Sequence, residues 1–297
     1  MAVVQEQQCQ VRCNSMPSVS HPIVCRVEEE LHKLKACVAS SSLSVEMMCH
    51  GLRELGDLYS CINELLRLPS NQQVLSHLPQ EKWLEEELDG SIRLLDLCGA
   101  VRDGLATKKE HLQDLQSALR RRCAEAVKEK TYTYISSGEK ANKDIKNCLR
   151  SLKKMDSKSG SSMTINKDCD LPLVVRVLMK AREITISLIQ SITFYLSVSR
   201  PKAKTSRWSS VSKAFHKKKV ACEGERDDTS DFSRMLFSLY ASYGCISCKD
   251  VDKEKAVRAQ NQLQTLNVNF DCLENGLDCL FRQLIQSRVS LLNILSL

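Results

Sequence analysis

An all-α protein is predicted, an elongated helical bundle with two very long helices and coiled-coil-like seams, and three observations predict it. The chain of 297 residues holds only 10 Gly and 6 Pro, too few breakers for a turn-rich β fold. Apolar residues recur at steps of three and four along most of its length, the spacing of one helical face. Aromatics make up only 5%, so the interior must be largely aliphatic. With 42% hydrophobic and 27% charged residues, the chain is too apolar for general disorder.

Residues 1–20 are polar and without period, and read as a disordered tail ahead of a single bundle domain over 21–297. Pro22 suits a first helical turn. Val24, Val27, Leu31, Leu34 and Val38 give the first stripe. Met48, Leu52, Leu55, Tyr59, Ile62 and Leu66 give the second, with Ser44 as its N-cap. Pro69 breaks the chain, and Ser70 to Gln73 has the form of a capping box for a short helix ending near Pro79. A long helix starts at Glu81 on Leu84, Leu88, Ile92 and Leu95, resumes on Leu105, Leu112, Leu115 and Leu119, and continues towards Lys154. Residues 156–168 read as a flexible loop. Asp170 and Pro172 open an apolar helix that ends before Arg200. Its uncharged run, 184–199, is shorter than the roughly 20 apolar residues a membrane span needs, and reads as a buried core helix.

A basic linker covers 200–228, and a short helix 231–243. The last helix runs from about Val251 to Leu295. Leu263, Leu266, Phe270, Leu273, Leu277, Leu280, Leu284 and Leu291 form its seam, the 3.5-residue repeat that keeps one face against a partner helix.

The formal net charge of +7 is concentrated. Residues 200–220 carry eight Lys or Arg and no acid, which leaves the rest near neutral and argues against a specific nucleic-acid binder. Within this segment Trp208, Val211 and Phe215 share one helical face among Lys213, Lys217, Lys218 and Lys219. A solvated linker is the plain reading. The sharper one is a contact for an anionic membrane surface or for calmodulin. Arg120, Arg121 and Arg122 splay around a helix and read as solvated.

Signatures of catalysis are lacking: no phosphate-binding Gly-rich loop, no H-E-x-x-H and no nucleophile elbow. The histidines (His21, His32, His50, His77, His111, His216) are scattered. Cys245 and Cys248 form one C-x-x-C, but Cys272 and Cys279 are seven residues apart, about 10 Å along a helix, too far to share its metal. No catalytic residue, metal, cofactor or small-molecule substrate is therefore expected. The start of the chain lacks the apolar stretch of a secretory signal, so the 15 cysteines read as reduced thiols, mostly small core residues. A cytoplasmic location follows, with plastid or peripheral membrane as alternatives. The expected role is a non-enzymatic interaction or scaffold protein with an unidentified protein partner.

Four stretches carry a resemblance. They are Ser20-His-Pro22 with Glu28-Glu-Glu-Leu31, the run from Leu88 to Asp103, Leu115 to Arg122, and the ending Leu284 to Ser296. Together they resemble the plant BYPASS-type family over nearly the whole chain from Ser20. The resemblance implies a helical land-plant protein with a role in root and shoot development, and no established reaction. The chain departs from the pattern at Ser136-Ser-Gly-Glu139, where members carry a Ser-Arg-Lys run.

Overall fold

Pro22 opens the first helix, where its missing N–H costs nothing. The His21 ring caps the same turn, its Nδ1 accepting from the Ile23 N–H at 3.3 Å. The computed structural model describes residues 21–38, 44–76, 81–162, 172–197, 235–240 and 253–296, and among these there is no strand. The helices are α1 Pro22–Val38, α2 Val45–Leu66, α3 Pro69–Ser76, α4 Glu81–Arg121, α5 Ala124–Ser162, α6 Leu173–Leu196, a short α7 at 235–240, and α8 Lys253–Leu295. The stretches 1–20, 200–228 and the Cys245/Cys248 motif lie outside the described residues.

Ser44 is the N-cap of α2, its Oγ accepting from the Met47 N–H at 3.3 Å. Ser44→Ala is expected to cost about 1 kcal/mol in urea unfolding, the usual worth of such a cap. At the other end of α2 the capping assignment needs correction. Ser70 lies inside α3. The helix starts at Pro69, and the Leu68 carbonyl accepts from the N–H groups of Asn71 and Gln72, each at 3.0 Å. Asn71 serves α2 instead, its Nδ2 donating to Leu65 O at 2.9 Å.

The long helix expected from Glu81 towards Lys154 is two helices. Arg122 turns the chain with φ 53° and ends α4, and α5 starts two residues later. A non-glycine residue in this left-handed region costs roughly 1–2 kcal/mol. The pairing of the two helices offsets that cost: Lys130 meets Asp114 at 2.9 Å, Lys108 meets Tyr134, and Arg93 meets Ser151, so α5 runs antiparallel back along α4. Residues 156–162, expected in a loop, belong to α5. Three helices thus reach about 60 Å at 41, 39 and 43 residues.

The final helix is the spine. It packs parallel to α2, with Leu52 against Gly276, Gly56 against Cys279 and Asn63 against Gln283 and Ser287. It packs antiparallel to α4, with Lys109 against Asp271 at 2.6 Å and Glu274 at 2.5 Å, and Arg288 against Ser91 at 2.8 Å. Helix α1 folds back on α2, and α6 covers the other side of α2. All these elements share one aliphatic core. Because α2 has neighbours on several sides, Leu58, Cys61 and Leu65 are buried along with its expected stripe.

Two stripes shift. Ile23 is buried, whereas Val24, expected in its place, is only half-buried, and Ile92 is 42% exposed on the outside of α4. The apolar run 184–196 of α6 is core, although Phe194 is 69% exposed. No helix among the described residues is long and apolar enough to cross a membrane.

Candidate functional site

Every seam residue of α8 is buried: Leu263, Leu266, Phe270, Leu273, Leu277, Leu280, Leu284 and Leu291. They face α2 and α4 within the same chain. Trp208, Val211, Lys213, Phe215, Lys217, Lys218 and Lys219 lie outside the described residues. Arg120, Arg121 and Arg122 are exposed.

Three sets of buried polar groups close on one another between helices. Tyr59 and Thr185 hydroxyls meet at 3.1 Å, and burial pushes the Tyr59 phenol above its usual range. Asn63 donates to Gln283 at 3.0 Å and accepts from Ser287 Oγ at 2.7 Å. Arg182 pairs with Glu87 at 2.9 Å. Each set locks a register between two helices. Arg102 Nε lies 2.6 Å from Asp278 Oδ1 without the alignment of a hydrogen bond, and its guanidinium covers the Phe281 ring at 4.8 Å.

Lys108 is the unusual group. It is 3% exposed, its Nζ donates to Tyr134 O at 2.6 Å, and it stands 4.2 Å over that ring. Burial lowers its pKa to about 8. Such a lysine can mark a reactive site. Here the Nζ sits sealed between α4 and α5, bonded from one helix to a carbonyl of the other.

Nine described cysteines are all free thiols. Among the described residues only Cys49, Cys61 and Cys98 are buried, so there the expectation that most are core residues is corrected: Cys25 and Cys123 are exposed, and Cys37, Cys148, Cys272 and Cys279 are partly so. Among the described residues no group of three or more His, Cys, Asp or Glu could hold a metal ion.

Among the described residues, two surface grooves stand out. One, of about 370 Å³, lies between α1 and α6, with Leu31 and Val177 as floor and Glu28, Lys35, Lys180 and Glu183 around it. Its charges are of both signs, and Lys180 already pairs with Glu183 at 3.2 Å. The other, of about 340 Å³, lies where the end of α2 and α3 meet the last turns of α8. Leu66, Ile285 and Val289 form its walls, and Arg67, Gln72 and Asn293 its rim. Ile285, Val289 and Leu292, at i, i+4 and i+7, are 43%, 50% and 40% exposed. They make a second apolar ridge, turned away from the seam. The doublets Leu284-Ile285 and Leu291-Leu292 carry that ridge in the sequence, beside the seam they interrupt.

A family model described as Protein BPS1 matches residues 51–294, from the middle of α2 to the end of α8. No curated protein and no solved structure matches the chain. The match takes in the spine, α4, most of α2 and the ridge, so the chain belongs to the BPS1 family.

Proposed function

We propose that this chain is a non-enzymatic helical scaffold of land plants, acting in root and shoot development, and that it docks an amphipathic helix of a partner protein. One observation supports this reading above the others: among the described residues, Ile285, Val289 and Leu292 form an exposed apolar ridge beside an open groove. A helix-in-groove contact is read through anchors at this spacing. Exposed Arg67 and Arg282 flank the ridge, so the partner helix that fits carries acidic residues beside its apolar face.

The test is Val289→Asp, alone and with Leu292→Asp. Both sites are exposed, so thermal unfolding should stay within about 0.5 kcal/mol of the parent. Proximity labelling in plant tissue with parent and variant identifies neighbours that depend on the ridge. A peptide covering the amphipathic helix of such a neighbour is expected to bind the parent and to lose about tenfold or more in affinity for the variant. If both proteins label the same neighbours and bind the peptide alike, the ridge is not the docking site. If binding instead disappears on deletion of 200–220, the function moves to the basic segment and an anionic surface or calmodulin.

A further inference from the structure

The parallel packing of α2 on α8 has a fixed register. Leu52 faces Gly276, Gly56 faces Cys279 and Asn63 faces Ser287, pairs separated by 223 or 224 residues. One turn before Leu52 and Gly276, the same register sets Cys49 opposite Cys272. Cys272 is near enough to act on the Cys49 thiol. Both are free in this structure. Gly276 explains why the backbones come so near: a Cβ there would lie 2.8 Å from Leu52 Cβ, so only glycine lets the helices approach this closely. A disulfide needs Cα atoms roughly 4.4–6.8 Å apart, and the glycine at 276 lets α2 and α8 come closer than any larger residue there would allow.

The two cysteines are not equivalent. Cys272 is partly exposed at the edge of the core, whereas Cys49 is buried. Burial, and the neighbouring Cys272 thiol, push the Cys49 pKa up to about 12. Cys272 is the residue of the pair that solvent reaches, and Cys49 is held as an un-ionised thiol.

We propose that Cys49 and Cys272 form a reversible disulfide when the protein meets a hydroperoxide, so that the α2–α8 seam carries a peroxide-responsive latch. Cys272 gives its proton to solvent, and its thiolate attacks the terminal oxygen of the hydroperoxide. The O–O bond breaks, leaving a sulfenic acid on Cys272 and, with hydrogen peroxide as oxidant, one water. The Cys49 sulfur then attacks the Cys272 sulfur. The S–O bond breaks, and the departing hydroxide takes the Cys49 proton as a second water. Two thiols lose two electrons, and the peroxide gains them. A small dithiol reverses the step by exchange. The bond ties the N-terminal hairpin to the last helix across more than two hundred residues, which restricts the unfolded chain strongly.

The test uses the full chain, folded, with a few equivalents of hydrogen peroxide, followed by alkylation and peptide mapping. A 49–272 cross-linked peptide is expected to dominate, and to be absent when the same treatment is given in urea. The oxidised protein is expected to melt roughly 5 °C or more higher, an increase that dithiothreitol removes. Cys49→Ser should leave a sulfenic acid on Cys272 that dimedone traps, and Cys272→Ser should abolish the cross-link. Circular dichroism of both variants confirms folding. A different cysteine pair, or overoxidation of Cys272 in the parent without the cross-link, overturns the proposal.

Discussion

Gly276→Ala is expected to destabilise the protein by about 2 kcal/mol, while Gly99→Ala, also inside a long helix, is expected to stabilise it by up to about 1 kcal/mol. Intrinsic helix propensity favours alanine equally at both sites, so the opposite signs come from packing alone. At Gly99 a Cβ meets nothing within 4 Å. At Gly276 it would lie 2.8 Å from Leu52 Cβ and 2.9 Å from Leu52 Cδ1. Leu52 is fully buried, and its Cβ is fixed to the backbone of α2, so no rotamer change relieves the clash. The helix cannot retreat either, because on its far side Gly51 is already pressed on Leu188, where a Cβ would come within 3.3 Å. Moving α2 away from α8 would also stretch the Asn63–Gln283 and Asn63–Ser287 hydrogen bonds farther along the seam. Urea unfolding of the two variants reads both signs. A stabilising Gly276→Ala would mean that α2 and α8 do not pack in this register. The same variant should also lower the yield of the Cys49–Cys272 bond, since it separates the turns that carry both thiols.

The helical class was legible because few local signals oppose it. Leu263 to Leu284 step by three and four without interruption, and each of those residues is buried. The ends of helices were less legible. Between Leu105 and Gly138 there is no Gly and no Pro, so nothing local announces the reversal at Arg122. The reversal is imposed by partners far along the chain, Asp114 with Lys130 and Lys108 with Tyr134, which only pair if the chain turns. The polar run 156–162 reads as a loop by composition, yet it continues a helix. On α2 a single stripe was visible, but a helix enclosed by α1, α6 and α8 buries more than one face. The converse holds on α8, where reading the seam hid the ridge: Ile285 and Leu292 sit next to seam residues and look like more of the same. The buried pairs were illegible for a plain reason. Arg182 and Glu87 are 95 residues apart, and neither carries a local mark of its partner.

Lys108→Met is expected to raise stability at pH 7 by about 2 kcal/mol, and that gain is expected to vanish as the pH approaches 10.5. The physical cause is an ammonium placed where water cannot reach it. Burial brings its pKa from the ordinary 10.5 to about 8, which corresponds to roughly 3 kcal/mol against the charged form. The bond to Tyr134 O and the ring beneath the ammonium return about 1 kcal/mol of this. Methionine has nearly the same length and an apolar tip, so it fills the space without a charge. Tyr134 O keeps a donor after the change, since Ser137 Oγ reaches it at 2.9 Å. The pH dependence follows from proton uptake. Below about pH 8 the lysine is protonated in both folded and unfolded chains, and the full penalty is present. Between 8 and 10.5 the unfolded chain holds the proton more tightly, so the parent gains stability as the pH rises. Above that range the folded and unfolded lysines are both neutral, and the difference from methionine closes. Urea midpoints of parent and variant at pH 7, 9 and 10.5 measure the narrowing directly, and the titration of exposed tyrosines and cysteines cancels between them. A variant that is less stable at pH 7 would mean that the carbonyl and the ring outweigh the loss of water, and that Lys108 holds α4 to α5 as a charge and not in spite of one.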